Sequence, residues 1–147
     1  MSLQSSTRMP EKHGVVAILK DNQGRFLFIR RGLTLPRAPG FWCFAGGEME
    51  AGETQAQAIV REVKEEVGLS VLALYKVHES ISPNAEYRLH WWQVEMQPCG
   101  QQLTLHEVEV AEARWLKLKD ALKLEPLLPT LKLWLAEKGV DKESANF

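Results

Sequence analysis

Residues 47–69 read GEMEAGETQAQAIVREVKEEVGL, and the spacing inside this stretch decides how the rest of the chain is read. Gly47 is followed by Glu53, then by Arg61-Glu62, the aliphatic Val63, Glu65-Glu66, Gly68 and the aliphatic Leu69. Thr54 to Val67 is a run of good helix formers without Gly or Pro. Thr54 is placed to cap that helix, with Gln57 as its capping-box partner, and Gly68 is placed to end it. Helical spacing predicts an apolar stripe of Ala56, Val60, Val63 and Val67. It gathers Glu62, Glu65 and Glu66, at i, i+3 and i+4, on another face. Like charges so placed repel each other and call for a compensating cation. Mg²⁺ or Mn²⁺, which prefer oxygen ligands, suit three carboxylates. An arbitrary Glu-rich helix would simply be solvated and balanced by Arg61 and Lys64; the fixed spacing between two glycines favours the metal-binding reading.

The stretch completes the pattern G-x5-E-x7-R-E-U-x-E-E-x-G-U, with U aliphatic, and through it the chain resembles the Nudix hydrolases, in particular their MutT-type members. The resemblance implies an α/β fold in which a mixed β-sheet is sandwiched between α-helices. It implies that Glu62, Glu65 and Glu66 bind Mg²⁺ or Mn²⁺ and serve catalysis, with the backbone carbonyl of Gly46 joining the metal. Glu53 and Arg61 would form a structural pair, and Gly47 and Gly68 would be structural too. Glu107 and Glu109 are both candidates for a further catalytic carboxylate, and the sequence does not choose between them. The approach Pro39 to Gly47 also looks like the family, except that Ala45 stands where Pro is common.

The expected reaction is hydrolysis of a nucleoside triphosphate to a monophosphate and pyrophosphate. ADP-ribose, a dinucleoside polyphosphate or a sugar nucleotide are alternatives, with Pro83 and Tyr87 lying where some subfamilies carry specificity residues. A catalytically silent nucleotide sensor is a further alternative, disfavoured because the motif has lost nothing. Arg30, Arg31 and Arg37 are candidates to clamp phosphates, since Arg makes bidentate contacts, and Phe44 to line the base pocket. Family members that act on oxidised guanine tend to have Asn before a Glu-Pro; Leu124 stands there and argues against that substrate.

The remaining sequence is ordinary for a globular protein. The chain has 147 residues, 45% hydrophobic and 25% charged, with a net charge of −1. That size suits one domain, and the charge gives no general attraction to nucleic acid or membrane. No apolar run has the length of a membrane span and no signal-like segment opens the sequence, so a cytoplasmic location is expected. A small-molecule nucleotide is the expected partner, and the protein would act as a monomer or homodimer. Cys43 and Cys99 read as isolated thiols, and His13, His78, His90 and His106 as unrelated to zinc. Residues 1–12 read as a flexible N-terminus, 13–139 as a single domain and 140–147 as a C-terminal tail.

Patterning predicts a hairpin-like pair of strands over 14–19 and 26–29, joined by the turn Asp21 to Gly24. Two long strands follow over 71–81 and 86–96, then a loop over 97–109 with a short strand at 103–105, and a strand over 113–116. A short helix over 120–124 and an amphipathic helix over 126–138, stopped by Gly139, complete the chain. Adjacent Trp91 and Trp92 should face opposite sides of their strand.

Overall fold

The computed structural model describes residues 12–98 and 101–140. Its strands are β1 (Lys12–Leu19), β2 (Phe26–Arg31), β3 (Trp42–Cys43), β4 (Ala45–Glu48), β5 (Val71–Ile81), β6 (Tyr87–Met96) and β7 (Val110–Leu116). Its helices are α1 (Gln55–Val67), α2 (Leu118–Ala121) and α3 (Pro129–Glu137). One sheet has the order β4-β1-β6-β5 and the other β3-β2-β7. The first is mixed, because β1 runs parallel to β6 and antiparallel to β4.

Strands β1, β2 and β6 are apolar on both faces because each face meets a helix layer. Val15, Ala17 and Leu19 of β1, Leu27 and Ile29 of β2, and Val94 of β6 join Ile59, Val63 and Val67 of α1 in one core. Their neighbours Ile18, Phe28 and Trp91 point the other way and join Leu131, Trp134 and Leu135 of α3 in a second core. Trp92 packs against the first core, so the two adjacent tryptophans do face opposite sides. The α/β/α sandwich follows from this alternation. Thr54 and Gln57 form the full capping box, and Gly68 ends α1 in the left-handed conformation at φ 74°.

Several local expectations are corrected. β1 and β2 are joined by the Asp21 turn and share both cores, but they belong to different sheets and the isolated Lys20–Phe26 bridge at the turn is not extended into a ladder; β1 already has β4 and β6 on its two edges. The buried stripe of α1 is Ala58, Ile59, Glu62, Val63, Glu66 and Val67, whereas Val60 is exposed and Ala56 only half-buried. Strand β7 begins at Val110 and α2 at Leu118. Helix α3 starts at Pro129, because residues 126–128 lie extended along β3: Trp42 N–H donates to the Pro126 carbonyl and Leu128 N–H to that of Trp42. Residues 103–105 form no strand. Thr104 and His106 instead donate their N–H groups to the carbonyls of Val67 and Glu66, closing the open end of α1. At the margins, Lys12 is already part of β1 and Val140 packs against the second core. The N-terminal reading over 1–11, Cys99 and the tail beyond Val140 lie outside the described residues.

The corrected stripe makes a direct comparison possible. Ile59→Ala, at a fully buried position, is expected to lower the unfolding free energy by roughly 2–5 kcal/mol. Val60→Ala, one position on, should stay within about 0.5 kcal/mol of the parent. Urea denaturation of both variants checks this, and similar losses for the two would restore the originally expected stripe.

Candidate functional site

The site is organised by the side chain of Arg61. Its Nε and Nη2 donate to the two carboxylate oxygens of Glu53 at 2.6 and 2.8 Å. Nη2 also reaches the Glu48 carbonyl at 3.0 Å, and Nη1 reaches Glu62 and Glu65 at 2.9 and 3.1 Å. The loop before α1 is therefore tied to the helix through one planar fork. Glu50 N–H also donates to Glu53. The Arg61 hydrogen bonds, then that backbone bond, hold the Glu53 carboxyl down at about 2.

The three motif carboxylates are not equivalent. Glu62 and Glu66 are buried, while Glu65 is exposed, so they do not form one solvated patch. Burial pushes Glu66 up to about 8; the charges of Glu62 and Glu109 add to this, while the Gly46 N–H and Arg31 oppose it. Burial likewise raises Glu62 to about 6, opposed by Arg61 and reinforced by Glu65 and Glu109. Among the described residues, no three His, Cys, Asp or Glu side chains surround a common point; Glu62 and Glu65 share Arg61, and Glu66 accepts from Gly46 N–H at 2.8 Å. The donor set nevertheless fits a hard cation: two carboxylates raised first by burial and then by neighbouring acids, with more negative charge facing them than Arg61 offsets.

The glycine pair is explained by close approach. A Cβ on Gly47 would lie 2.4 Å from a Glu62 carboxylate oxygen, and one on Gly46 would lie 2.1 Å from the Val15 carbonyl. Met49 N–H donates to the His13 carbonyl. Bonded and non-bonded pairs alternate along an antiparallel ladder, so Val15–Gly47 is bonded and Val16–Gly46 is not. The Gly46 N–H and C=O thus turn away from β1. The N–H meets Glu66, and the carbonyl is left on the outer side of an edge strand.

The loop after β6 presents one of its two acids. Glu109 is half-buried, its N–H donates to His106 Nδ1, its carbonyl accepts from Gly32 N–H, and its charge bears on both Glu62 and Glu66. Glu107 is exposed.

Beside these groups lies a cleft of about 780 Å³. Gly46, Gly47 and Glu66 line it, together with Arg31 and Arg37, the hairpin residues Pro83 and Tyr87, and an apolar wall that includes Phe44, Trp91 and Leu128. Phe44 stacks on Phe28 and meets Trp91 and Trp134 edge-on. Arg30 is not among the lining residues; it follows the strand alternation to the opposite face and donates to the Gly40 carbonyl. Leu124 is not among the lining residues either and is buried in the second core beside Phe44, Trp91 and Leu131.

Sequence reasoning named Arg37 and Tyr87 but missed their partners. Glu86 bonds Arg37 at 2.9 Å and Lys12 at 3.0 Å, and Tyr87 donates its hydroxyl to Glu48 at 2.9 Å. Sequence separation hides such pairs, and no spacing rule signals them.

The NUDIX domain family matches residues 10–137. The CTP pyrophosphohydrolase of Escherichia coli strain K12 is 37% identical over 82 residues, which are 54% of this chain and 60% of that protein. An uncharacterized Nudix hydrolase of Pseudomonas aeruginosa is 31% identical over 117 residues, 79% of this chain and 69% of that protein. The crystal structure of a MutT protein from Methanosarcina mazei superposes with a TM-score of 0.73 over 93% of this chain and 97% of the other, at 23% identity.

The Glu53–Arg61 pair has a defined pH signature. Its folded-state carboxyl titrates near 2, below the ordinary value of 4.5. Its contribution to stability is therefore complete above about pH 4.5 and lost as pH falls toward about 2. Glu53→Gln is expected to melt below the parent at neutral pH, with the gap in Tm closing across that acid range. Arg61→Ala should lower Tm by roughly 5 °C; an unchanged Tm for both variants would remove the structural pair.

Proposed function

The chain belongs to the Nudix family of hydrolases, and on that premise we propose that it cleaves nucleoside triphosphates to a nucleoside monophosphate and pyrophosphate. The observation that carries this reading is the cleft itself: cationic Arg31 and Arg37 and the buried Glu66 share one enclosure with an aromatic wall containing Phe44 and Trp91. A polyanion with a flat apolar end matches that pairing of linings. The name of the 37%-identical relative, a CTP pyrophosphohydrolase, supports the same substrate class.

Glu62, Glu66 and the Gly46 carbonyl are the groups that would hold Mg²⁺ or Mn²⁺, with the exposed Glu65 completing the set once it leaves Arg61. Such an ion, when bound, neutralises phosphate charge and makes water a better nucleophile. Arg31 and Arg37 orient the phosphates. Arg37 must first exchange its bond to Glu86 for a phosphate oxygen. Glu109 is the carboxylate we assign to receive the proton of the attacking water, because its backbone is anchored at both ends of its peptide and its charge already faces Glu62 and Glu66. The water oxygen bonds to the innermost phosphorus, the bond from that phosphorus to the oxygen bridging it to the middle phosphate breaks, and the outer two phosphates leave together as pyrophosphate. Protein that works on soluble nucleotides needs no membrane span, and no described helix is long and apolar enough to be one.

Two measurements test this. Incubating the protein with a triphosphate and Mg²⁺ should give monophosphate and pyrophosphate on ion exchange; orthophosphate as the first product contradicts the reading, and inert triphosphates alongside cleaved ADP-ribose would replace the substrate class. Glu109→Gln is expected to lower kcat roughly 10²- to 10⁴-fold, the range for loss of a general base, while Glu107→Gln leaves it nearly unchanged. The reverse ranking would transfer the role to Glu107.

A further inference from the structure

Helix α3 begins at the cleft wall, and its first turn is left without a cap. The N-cap is Leu128, which makes no side-chain cap bond, and Pro129 follows as the first helical residue. Proline has no N–H to satisfy. Lys132 N–H closes the first helical bond onto Leu128, which leaves the N–H groups of Thr130 and Leu131 as the orphan donors of the helix. Leu128, Pro129, Thr130 and Leu131 all line the cleft.

A second observation at the same place concerns the Thr130 side chain. Thr130 is 8% exposed and has no hydrogen-bond partner among the described residues. The one enclosed side-chain donor or acceptor there without a partner is Trp134 Nε1. The Thr130 hydroxyl therefore keeps access to solvent space, and the space beside it is the cleft. The hydroxyl of this largely buried residue, without a protein partner and beside unsatisfied helix donors, is an arrangement that can take an acceptor. Leu89, Trp91, Leu128 and Leu131 make the surroundings apolar, and the arginines that suit phosphate come from the β2 strand and the loop after it.

We propose that Thr130 and the uncapped first turn of α3 read a carbonyl oxygen on the nucleobase, so that cytosine, uracil and guanine are accepted and adenine, which has no carbonyl, is disfavoured. The inference rests on the triphosphate reading for its kinetic test. The same donors would also attract an anion; that source is separated by the base dependence, because a phosphate contact would be shared by every nucleotide.

The experiment compares the parent protein with Thr130→Val, which keeps the shape and removes the hydroxyl, and with Thr130→Ser, which restores it. Specificity constants are measured for CTP, UTP, GTP and ATP. The parent should prefer the three carbonyl-bearing bases. Thr130→Val should lower kcat/KM for the preferred ones about tenfold, as expected when one buried hydrogen bond is lost, and change ATP by less than about twofold. Thr130→Ser should recover most of the loss. An equal loss on all four nucleotides, or no loss on any, overturns the proposal. Should the parent hydrolyse no triphosphate, the function proposed above fails by itself. Calorimetric titration with CMP, UMP and AMP then decides the present inference: selective weakening of CMP or UMP by Thr130→Val supports it, and equal affinity for all three overturns it.

Discussion

The guanidinium of Arg61 is the interaction on which the rest of the site depends. It binds Glu53 with two hydrogen bonds, the Glu48 carbonyl with a third, and the carboxylates of Glu62 and Glu65 with two more. These partners come from both ends of the loop that joins β4 to α1 and from the helix itself. A charged group shared so widely holds backbone and helix in one register, and a lysine could not do so, having a single nitrogen. The register is what places Glu62 against Gly47 and Glu66 against the Gly46 N–H.

That placement has a thermodynamic consequence. Burial raises both Glu62 and Glu66, and the nearby Glu109 raises them further. Two buried carboxylates of one sign are unfavourable in a fold that has only to be stable. The fold tolerates them because the remainder of α1 is well satisfied: it has a complete capping box, a left-handed glycine end, and Ile59, Val63 and Val67 in a dry core. The loop at Thr104 and His106 then covers the last carbonyls and carries Glu109 to the acidic pair. Stability is thus supplied on the core face of the helix and spent near its edge, where the proposed metal site needs unbalanced charge.

Much of this was readable in the residues. The helix limits, its cap and its glycine end follow from local chemistry, and so does the Glu53–Arg61 pair once the motif is recognised. The strands were legible as apolar runs, but their partners were not: β1 and β2 look like a hairpin because a turn joins them, and nothing local says that β1 has both edges filled by β4 and β6. The stripe of α1 was misjudged by counting only apolar residues. Glu62 and Glu66 take up positions on the buried face, and a carboxylate there is invisible to a hydrophobicity pattern. The choice of Glu109 over Glu107 depends on a loop whose path is set by the end of α1. Arg30 and Arg31 looked equivalent as charges, yet strand alternation sends only Arg31 to the cleft.

The two helices that border the cleft differ in how they begin, and the difference argues for what the cleft receives. At α1 the chain uses a capping box, in which the Thr54 hydroxyl accepts from Gln57 N–H and the Gln57 side chain accepts from Thr54 N–H. At α3 Leu128 offers no side-chain cap and takes part only through its carbonyl, which accepts from Lys132 N–H, while Pro129 has no N–H to satisfy. Ser, Thr, Asp or Asn at position 128 would close the turn at little structural cost, and the chain demonstrably has that solution available elsewhere. The open turn falls on the cleft wall, at the largely buried Thr130 and in the same cleft as Phe44 and Trp91. Departures from local consistency collect where a protein meets its ligand. Here the acidic pair on α1 is only partly balanced by Arg61 and Arg31, and the first turn of α3 lacks acceptors. A metal-bound nucleotide supplies both in a single molecule, the cation at its phosphates and the carbonyl at its base.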